Sequence, residues 1–316
     1  MWCKRVCEEN DCDEEYKKLW KTNAGINNIL SIGLPNLVSS ILDSSSINTP
    51  HYDAVLIDEG QDFLPNWWNV LRNVCRKDGE MLLVADATQD IYGTAGSWTD
   101  EAMTGAGFPG GRWAELKISY RLPPLALEYS RNFAEEFLPK DTIDLPESEQ
   151  SELNLFPCTL KWVHTKMSLA TQVCREELFL LATDKEPDLV SIPDITFLSD
   201  NNKRGIAVIS ELRSKGVWSC HTFSEDHEES RRLKMGFYMG DARIKATTLH
   251  SFKGWESRAI VIFIGDSVDK KSLALIYTGL TRLKRHTEGS CLTIVSCANE
   301  LIPYGKTWPK YVDKSA

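Results

Sequence analysis

Short apolar runs alternate with longer helical stretches along most of this chain. Most runs are continuously apolar, as is typical of strands buried on both faces of a parallel sheet. The predicted strands are residues 53–57, 81–85, 115–119, 161–164, 195–198, 218–223, 244–248, 259–264 and 292–296. The predicted helices are residues 67–75, 124–137, 169–182, 203–215 and 272–285. This alternation predicts an α/β fold with helices on both faces of parallel sheets.

The chain length allows two domains. Its 316 residues are 42% hydrophobic, enough to bury two ordinary cores. Between residues 139 and 157 the sequence becomes acidic and contains prolines, a composition typical of a linker. We therefore predict a partial first domain at 1–140, a linker at 141–157 and a second domain at 158–316.

Composition excludes several classes of protein. The net charge of −9 and the pI near 5.3 argue against a broad basic face, so any contact with nucleic acid must be local. Nine cysteines without a C-x-x-C pair favour reduced thiols and a cytoplasmic protein. No apolar run approaches the ~18 residues that span a bilayer, so we predict no membrane partner.

The segment 51–62, HYDAVLIDEGQD, places two carboxylates at the end of a predicted strand. Asp58 and Glu59 would emerge at the carboxyl edge of a parallel sheet, where α/β proteins bind ligands. A carboxylate there can hold Mg²⁺ through water, and its neighbour can accept a proton from an attacking water. For a bare pair of acids, a simple solvent-exposed strand end is the alternative.

The longer string resembles the Walker B motif of superfamily 1 DNA helicases of the UvrD/Rep kind, usually Asp-Glu-Ala-Gln-Asp. Gly60 stands at the alanine position. The resemblance implies that Asp58 binds the Mg²⁺ of ATP-Mg²⁺ and that Glu59 is the general base. It also implies that Gln61 and Asp62 couple the nucleotide site to neighbouring motifs.

A second segment of the family follows one predicted strand later. Residues 82–93, LLVADATQDIYG, are similar to helicase motif III. By this resemblance Gln89 senses the γ-phosphate and Tyr92 lies near the DNA channel. Asp90 stands where serine is common in the family, and a purely structural turn is the alternative.

The third segment, KISYRLP at 117–123, resembles motif IV, normally Asn-Tyr-Arg, with Ser119 replacing the asparagine. The resemblance implies that Tyr120 stacks on adenine and that Arg121 reaches the γ-phosphate. Arginine suits this role because its rigid guanidinium bridges phosphate oxygens and stays charged. An ordinary strand-to-helix junction with a solvated arginine is the alternative.

The fourth segment, IKATTLHSFKGWESRAIVI at 244–262, resembles motif V, Thr-x-His-x-x-Lys-Gly-Leu-Glu. Trp255 occupies the leucine position. The residues that would bind the DNA backbone are Thr248, His250 and Lys253. Gly254 and Glu256 would line the nucleotide cleft, with Glu256 toward the ribose. This is the most specific match in the chain.

The fifth segment, LIYTGLTRLK at 275–284, is similar to motif VI, usually Val-Ala-Leu-Thr-Arg. It makes Arg282 the arginine finger that neutralises charge on the transferring phosphoryl group. Gly279 sits where alanine is usual, and a glycine in a helix interior costs up to ~1 kcal/mol. A surface arginine on a helix is the alternative.

The sequence contains no phosphate-binding G-x-x-x-x-G-K-[ST] loop. Gly305-Lys306-Thr307 imitates its end, but Glu300 occupies the first glycine position. The resemblance therefore implies part of an ATP-dependent motor made of two RecA-like domains, the first incomplete, with ATP hydrolysed at the cleft between them.

Three kinds of partner follow from the resemblance: ATP with Mg²⁺, single-stranded DNA with RNA as an alternative, and a segment or chain that carries a P-loop. We expect this chain alone to be inactive in ATP hydrolysis. Two other readings stay open. One is a non-catalytic module that binds nucleic acid or a protein. The other is an unrelated α/β protein whose acids bind metal, which leaves the arginine-bearing segments unexplained.

Overall fold

A computed structural model of the chain describes residues 2–22, 25–44, 51–85, 114, 118–139, 155–183 and 190–315. The chain divides into two compact units, Met1–Ala114 and Glu115–Ala316. Gln89, Tyr92 and most of the predicted linker lie outside the described residues. Among the described residues, no helix combines the length and apolarity that crossing a bilayer requires.

The first unit begins with helices and continues into a small parallel sheet. Its helices are α1 (Trp2–Glu9), α2 (Asp13–Lys21), α3 (Ile26–Asn28), a π-helical turn (Ile29–Gly33), α4 (Leu34–Asp43) and α5 (Pro65–Arg72). Its strands are β1 (Tyr52–Ile57) and β2 (Cys75–Leu83), which pair in parallel. The helix predicted at 67–75 corresponds to α5, which ends earlier, at Arg72, because Cys75 already belongs to β2.

The two-stranded sheet has a buried face and an exposed face. Ile57 and Leu83 pack against Trp68 of α5 in a small apolar core. On the other face, the paired residues Leu56 and Leu82 are both exposed. Parallel sheets are normally covered on both faces, so this exposed face is unusual.

The second unit is built on one seven-stranded sheet in which every pairing is parallel. The strands are β3 (Cys158–Thr165), β4 (Ile195–Ser199), β5 (Ser219–His221), β6 (Ile244–Thr248), β7 (Ala259–Ile264), β8 (Ser290–Ser296) and β9 (Lys310–Lys314). Their order is β5-β6-β4-β7-β8-β3-β9. The α/β class with parallel sheets is therefore confirmed.

Helices cover both faces of this sheet. They are α6 (Pro124–Phe137), α7 (Met167–Thr183), α8 (Asn202–Ser214), α9 (His227–Gly236), α10 (Lys270–Leu280) and α11 (Ile302–Gly305). One core joins α6, α10 and α11 to one face, and a second core joins α7 and α8 to the other. The first core includes the edge-to-face rings of Trp162, Tyr304 and Trp308.

The observed boundary between the two units differs from the predicted domain boundary, and α6 is the element that lies between the two boundaries. The sequence groups residues 1–140 together, whereas the contacts place the boundary after Ala114. The reason lies in packing, because Phe133 and Ala134 of α6 are fully buried in the core beneath β3 and α10. Tyr120 and Arg121 consequently belong to the second unit.

Three strands or α-helices of the second unit have no counterpart in the sequence prediction: β9, α9 and the short helix α11. Edge strand β9, KYVDK, has charged residues at three of its five positions and pairs with β3. Helix α9, HEESRRLKMG, lacks the apolar stripe that marks a helix in sequence. Its start did carry a signal, since the Asp226 side chain accepts the Glu229 amide hydrogen as an N-cap.

Candidate functional site

The acidic end of β1 holds its two carboxylates in different settings. Asp58 is exposed, and its Oδ1 accepts the Glu59 amide hydrogen at 2.8 Å. Glu59 has a left-handed backbone, with φ of 55°, and its Oε2 accepts a hydrogen bond from Gln61 Nε2 at 2.7 Å. Left-handed backbone at a non-glycine residue is costly and clusters at functional sites. The geometry therefore fixes Glu59 and leaves Asp58 facing solvent.

Gly60 stands where the family that the sequence resembles usually has alanine. Its amide hydrogen bonds to the carbonyl oxygen of Val84 at 2.7 Å. A Cβ at this position would meet Leu83 Cδ1 at 2.5 Å and that same carbonyl at 3.0 Å. The residue beyond β1 thus lies too close to the end of β2 for alanine, the usual residue in the family.

The acidic end can supply one ligand to a metal ion. Mg²⁺ commonly binds one or two carboxylates and completes its shell with water and substrate phosphates. Exposed Asp58 fits that requirement. In the parts of the chain that the structure describes, no cluster of three histidine, cysteine or acidic side chains could hold a metal ion. Any magnesium here would therefore need ligands from nucleotide or water.

In the second unit, residues 248–259 run from the edge of the sheet where the strands end to the opposite edge, where the strands begin. The segment leaves the carboxyl end of β6 and reaches the amino end of β7, two strands away in the sheet. Buried Leu249 and Phe252 anchor its first half, and Leu249 N–H donates to the carbonyl of Ser199 at 2.9 Å. We refer to residues 248–259 as the crossing loop.

The first half of the crossing loop carries the predicted DNA contacts. The Thr248 hydroxyl accepts the Ser251 amide hydrogen at 3.2 Å and so fixes the turn after β6. His250 is exposed and Lys253 is partly exposed. Gly254 follows with φ of +84°, a conformation that favours glycine, and nothing lies within 4 Å of where its Cβ would be. A turn at an open surface position therefore requires this glycine.

The second half of the crossing loop carries an ion-pair cluster. Glu256 Oε2 lies 3.2 Å from Arg121 Nε, and Glu256 Oε1 lies 2.8 Å from Lys284 Nζ. The next residue, Ser257, donates its amide hydrogen to the carbonyl of Arg282 and accepts that of Lys284. Residues from the segments that resemble motifs IV, V and VI thus lie together in the second unit.

The predicted adenine contact lies beside this cluster. Tyr120 is exposed, and the Arg285 guanidinium lies 5.6 Å from its ring centroid. The same guanidinium lies 4.5 Å from the ring of Phe156. Cation–π contacts of this kind hold an aromatic ring in place. The sequence analysis did not single out Lys284 and Arg285 as site residues, although the basic run RLKR at 282–285 could have indicated them.

Arg282 lies just after α10 and is almost completely buried, with 2% of its surface exposed. Its Nε donates to the carbonyl oxygen of Thr278 at 3.3 Å. Gly279 allows close packing here, because a Cβ would meet Leu249 Cδ2 at 2.5 Å and Ile262 Cδ1 at 2.9 Å. The glycine that replaces the usual alanine thus lets α10 approach the crossing loop and β7.

A half-buried acid stabilises the carboxyl edge next to the crossing loop. Asp200 follows β4, and its Oδ2 accepts hydrogen bonds from Arg204 Nη1 at 2.6 Å and from the Gly265 amide at 2.9 Å. Burial raises the pKa of Asp200, while Arg204 and the amide hydrogen bonds oppose that rise. These bonds join the ends of β4 and β7.

The predicted site residues fall into three groups. Asp58 and Glu59 lie in the first unit. The residues that lie along the crossing loop or beside it in the second unit are Tyr120, Arg121, Thr248, His250, Lys253, Gly254, Glu256 and Arg282. Gln89 and Tyr92 lie outside the described residues, so their roles stay predictions.

Comparison with known proteins gives only distant structural similarity. The sequence matches no protein-family model and no curated protein. Among solved structures, the chain is similar to the C-terminal domain of a possible DNA helicase from Lactobacillus plantarum WCFS1, at 13% identity. The match covers 63% of this chain and 99% of that chain, with a TM-score of 0.36. A similarity at this level carries no argument about activity.

Proposed function

We propose that this chain is part of an ATP-dependent DNA helicase or translocase motor of the UvrD/Rep kind. In this proposal both units are RecA-like domains, the first of them incomplete. The observation that carries it is the course of the crossing loop. Residues suited to phosphate contact lie at its first end, and Glu256 at its second end pairs with Arg121 and Lys284.

The two ends of the crossing loop would bind different ligands. Thr248, His250 and Lys253 would contact the backbone of single-stranded DNA through hydroxyl, imidazole and ammonium groups. Tyr120, Arg121 and Glu256 would contact adenine, γ-phosphate and ribose of ATP. The crossing loop carries the DNA contacts and also Glu256, which pairs with Arg121, so displacement at one end of the loop would reach the other. This is the linkage that a translocase needs between nucleotide and DNA.

The chemistry of hydrolysis would come from the first unit and from arginines. Asp58 would hold Mg²⁺ through water, and Glu59 would accept the proton of the attacking water. Bound Mg²⁺ neutralises charge on the β- and γ-phosphates. Arg121 and Arg282 would stabilise charge on the transferring group. Since Arg282 is 2% exposed, we expect its side chain to change position when nucleotide binds.

The proposal requires a P-loop that this sequence does not contain. The exposed sheet face at Leu56 and Leu82 supports an incomplete first domain, since a further helix would cover it. We propose that a P-loop-bearing segment supplies that part.

The test joins a UvrD-type P-loop segment to this chain and measures hydrolysis of ATP with and without single-stranded DNA. We expect DNA-stimulated hydrolysis that falls at least ~100-fold in Glu59→Gln, because the general base is lost. Arg121→Ala should also lower hydrolysis, because the γ-phosphate contact is lost, and Arg243→Ala, at an exposed arginine paired with Asp241, is its matched control. DNA binding without hydrolysis would favour the non-catalytic module. Hydrolysis by the unaltered chain, abolished in Arg282→Ala, would mean that another group replaces the P-loop.

A further inference from the structure

Trp255 is an exposed aromatic residue on the crossing loop, at a position where the resembling family has leucine. It is 41% exposed, and its ring meets that of Phe237 edge to face, with centroids 6.3 Å apart and an interplanar angle of 81°. Edge-to-face contact orients a ring without covering both of its faces. Trp255 is thus held on one side and open to solvent.

Two further exposed apolar residues lie close to Phe237 in the chain. Phe237 follows the last residue of α9, and its chain neighbours Met235 and Tyr238 are 80% and 67% exposed. Clustered exposure of large apolar side chains marks a binding surface more often than isolated exposure does. We call Met235, Phe237, Tyr238 and Trp255 the aromatic patch.

Cations border the aromatic patch. Arg231, Lys234 and Met235 lie on one side of α9, because residues three and four apart are neighbours on a helix. Together with Ser230 they line a shallow surface cavity. No ion pair among the described residues engages Arg231 or Lys234, and both are exposed. In a chain with a net charge of −9, two unneutralised cations beside exposed aromatics favour an anionic, aromatic ligand.

We propose that the aromatic patch and the α9 cations bind single-stranded DNA, with a base stacked on Trp255. Phosphates on either side would lie against Lys253 and against Arg231 or Lys234. Stacking on an aromatic side chain requires an unpaired base, so this surface selects single strands over duplex. The inference deepens the proposed function and rests on its DNA contact at the crossing loop.

The test compares DNA binding by four forms of the 316-residue chain, without nucleotide, by fluorescence anisotropy of a labelled oligothymidylate. Trp255→Ala should weaken binding about 10-fold, and Trp255→Phe should retain most of it. Trp218→Ala is the matched control, because Trp218 is also an exposed tryptophan of the second unit, but it lies against Arg213 and not on the crossing loop. It should leave the affinity unchanged.

A second oligomer with abasic sites isolates stacking from charge. The unaltered chain should prefer the oligothymidylate, and Trp255→Ala should bind both oligomers equally. Arg231→Ala with Lys234→Ala should instead weaken both equally. Thermal unfolding of each variant checks that the fold is retained. If Trp255→Ala unfolds, Trp255→Leu carries the test, because leucine fills the site without a ring on which a base can stack, so this variant should also weaken binding.

The outcomes separate this inference from the proposed function. If Lys253→Ala weakens binding while both Trp255 variants bind like the unaltered chain, the stacking inference is wrong and the DNA contact stands. If the unaltered chain binds no single-stranded DNA, both are wrong. Equal affinity for duplex and single strands would also overturn the stacking inference.

Discussion

The Glu256 carboxylate lies 3.2 Å from the Arg121 guanidinium. This ion pair joins the crossing loop to the segment just before α6. Their side chains are 37% and 44% exposed. Exposed ion pairs contribute about 0–1 kcal/mol because water and salt screen them. The pair therefore positions two site residues more than it stabilises the fold.

Glu256→Gln should change the free energy of unfolding by less than about 1 kcal/mol, because water screens the exposed ion pair that the substitution removes. Urea denaturation of the variant and of the unaltered chain measures this difference. The same small effect is expected at high salt. A loss several times larger would mean that the cluster of Glu256, Arg121 and Lys284 holds the second unit together.

A buried ion pair should behave differently. Glu177 on α7 is 3% exposed, and Lys161 on β3 donates to its Oε2 at 2.6 Å. Lys161→Met should destabilise the second unit by about 3 kcal/mol, since it leaves a buried carboxylate with only the longer contact to Lys314, at 3.6 Å. Urea denaturation measures the loss.

The double variant Lys161→Met with Glu177→Leu is the control for that prediction. Replacing both charges with apolar groups removes the desolvation cost, so much of the lost stability should return. If the double variant were as unstable as the two single changes summed, the charge pairing would not be the cause.

Gly60→Ala should destabilise the first unit by about 1–3 kcal/mol, as overpacking of a tight site does. The added Cβ would meet Leu83 Cδ1 and the Val84 carbonyl. Gly25→Ala is the matched control, because nothing lies within 4 Å of its added Cβ. Equal stability of Gly60→Ala and the unaltered chain would show that the ends of β1 and β2 can separate without cost.

Stability should also depend on pH through His221 at the end of β5. Burial lowers the pKa of His221 below its ordinary 6.5, with Glu229 opposing and Arg243 and Arg213 adding to the decrease. The unfolded chain therefore binds more protons just below pH 6.5, so stability rises with pH through that window. His221→Gln should flatten this part of the profile. Urea denaturation at pH 5, 6, 7 and 8 tests it, and an unchanged slope would contradict it.

Elements with strong local patterns were predictable from the sequence. The apolar run at 259–264, AIVIFI, and the β-branched run at 244–248, IKATT, predicted both strands at their observed ends. The helix at 124–137 was also predicted at both ends, because Pro123 and Pro124 set its start. These signals lie within one element, so no knowledge of its packing partners was needed.

Features that depend on distant contacts were not predictable in this way. The burial of Arg282 and the packing of α6 into the second unit follow from tertiary contacts. The need for glycine at positions 60 and 279 arises from Leu83 and Leu249, which belong to other segments. The pairing of Glu256 with Arg121 joins residues more than a hundred positions apart, although both had been singled out separately.

DNA binding by the crossing loop is the most direct test of the central proposal. We would titrate the 316-residue chain and its Lys253→Ala variant against a labelled oligothymidylate of about 16 nucleotides over a range of salt. Lys215→Ala, an exposed lysine after α8, is the control. We predict that the chain binds, and that Lys253→Ala alone weakens binding and reduces the slope of log affinity against log salt by about 0.7. Absence of binding, or equal binding by all three proteins, would contradict the proposal.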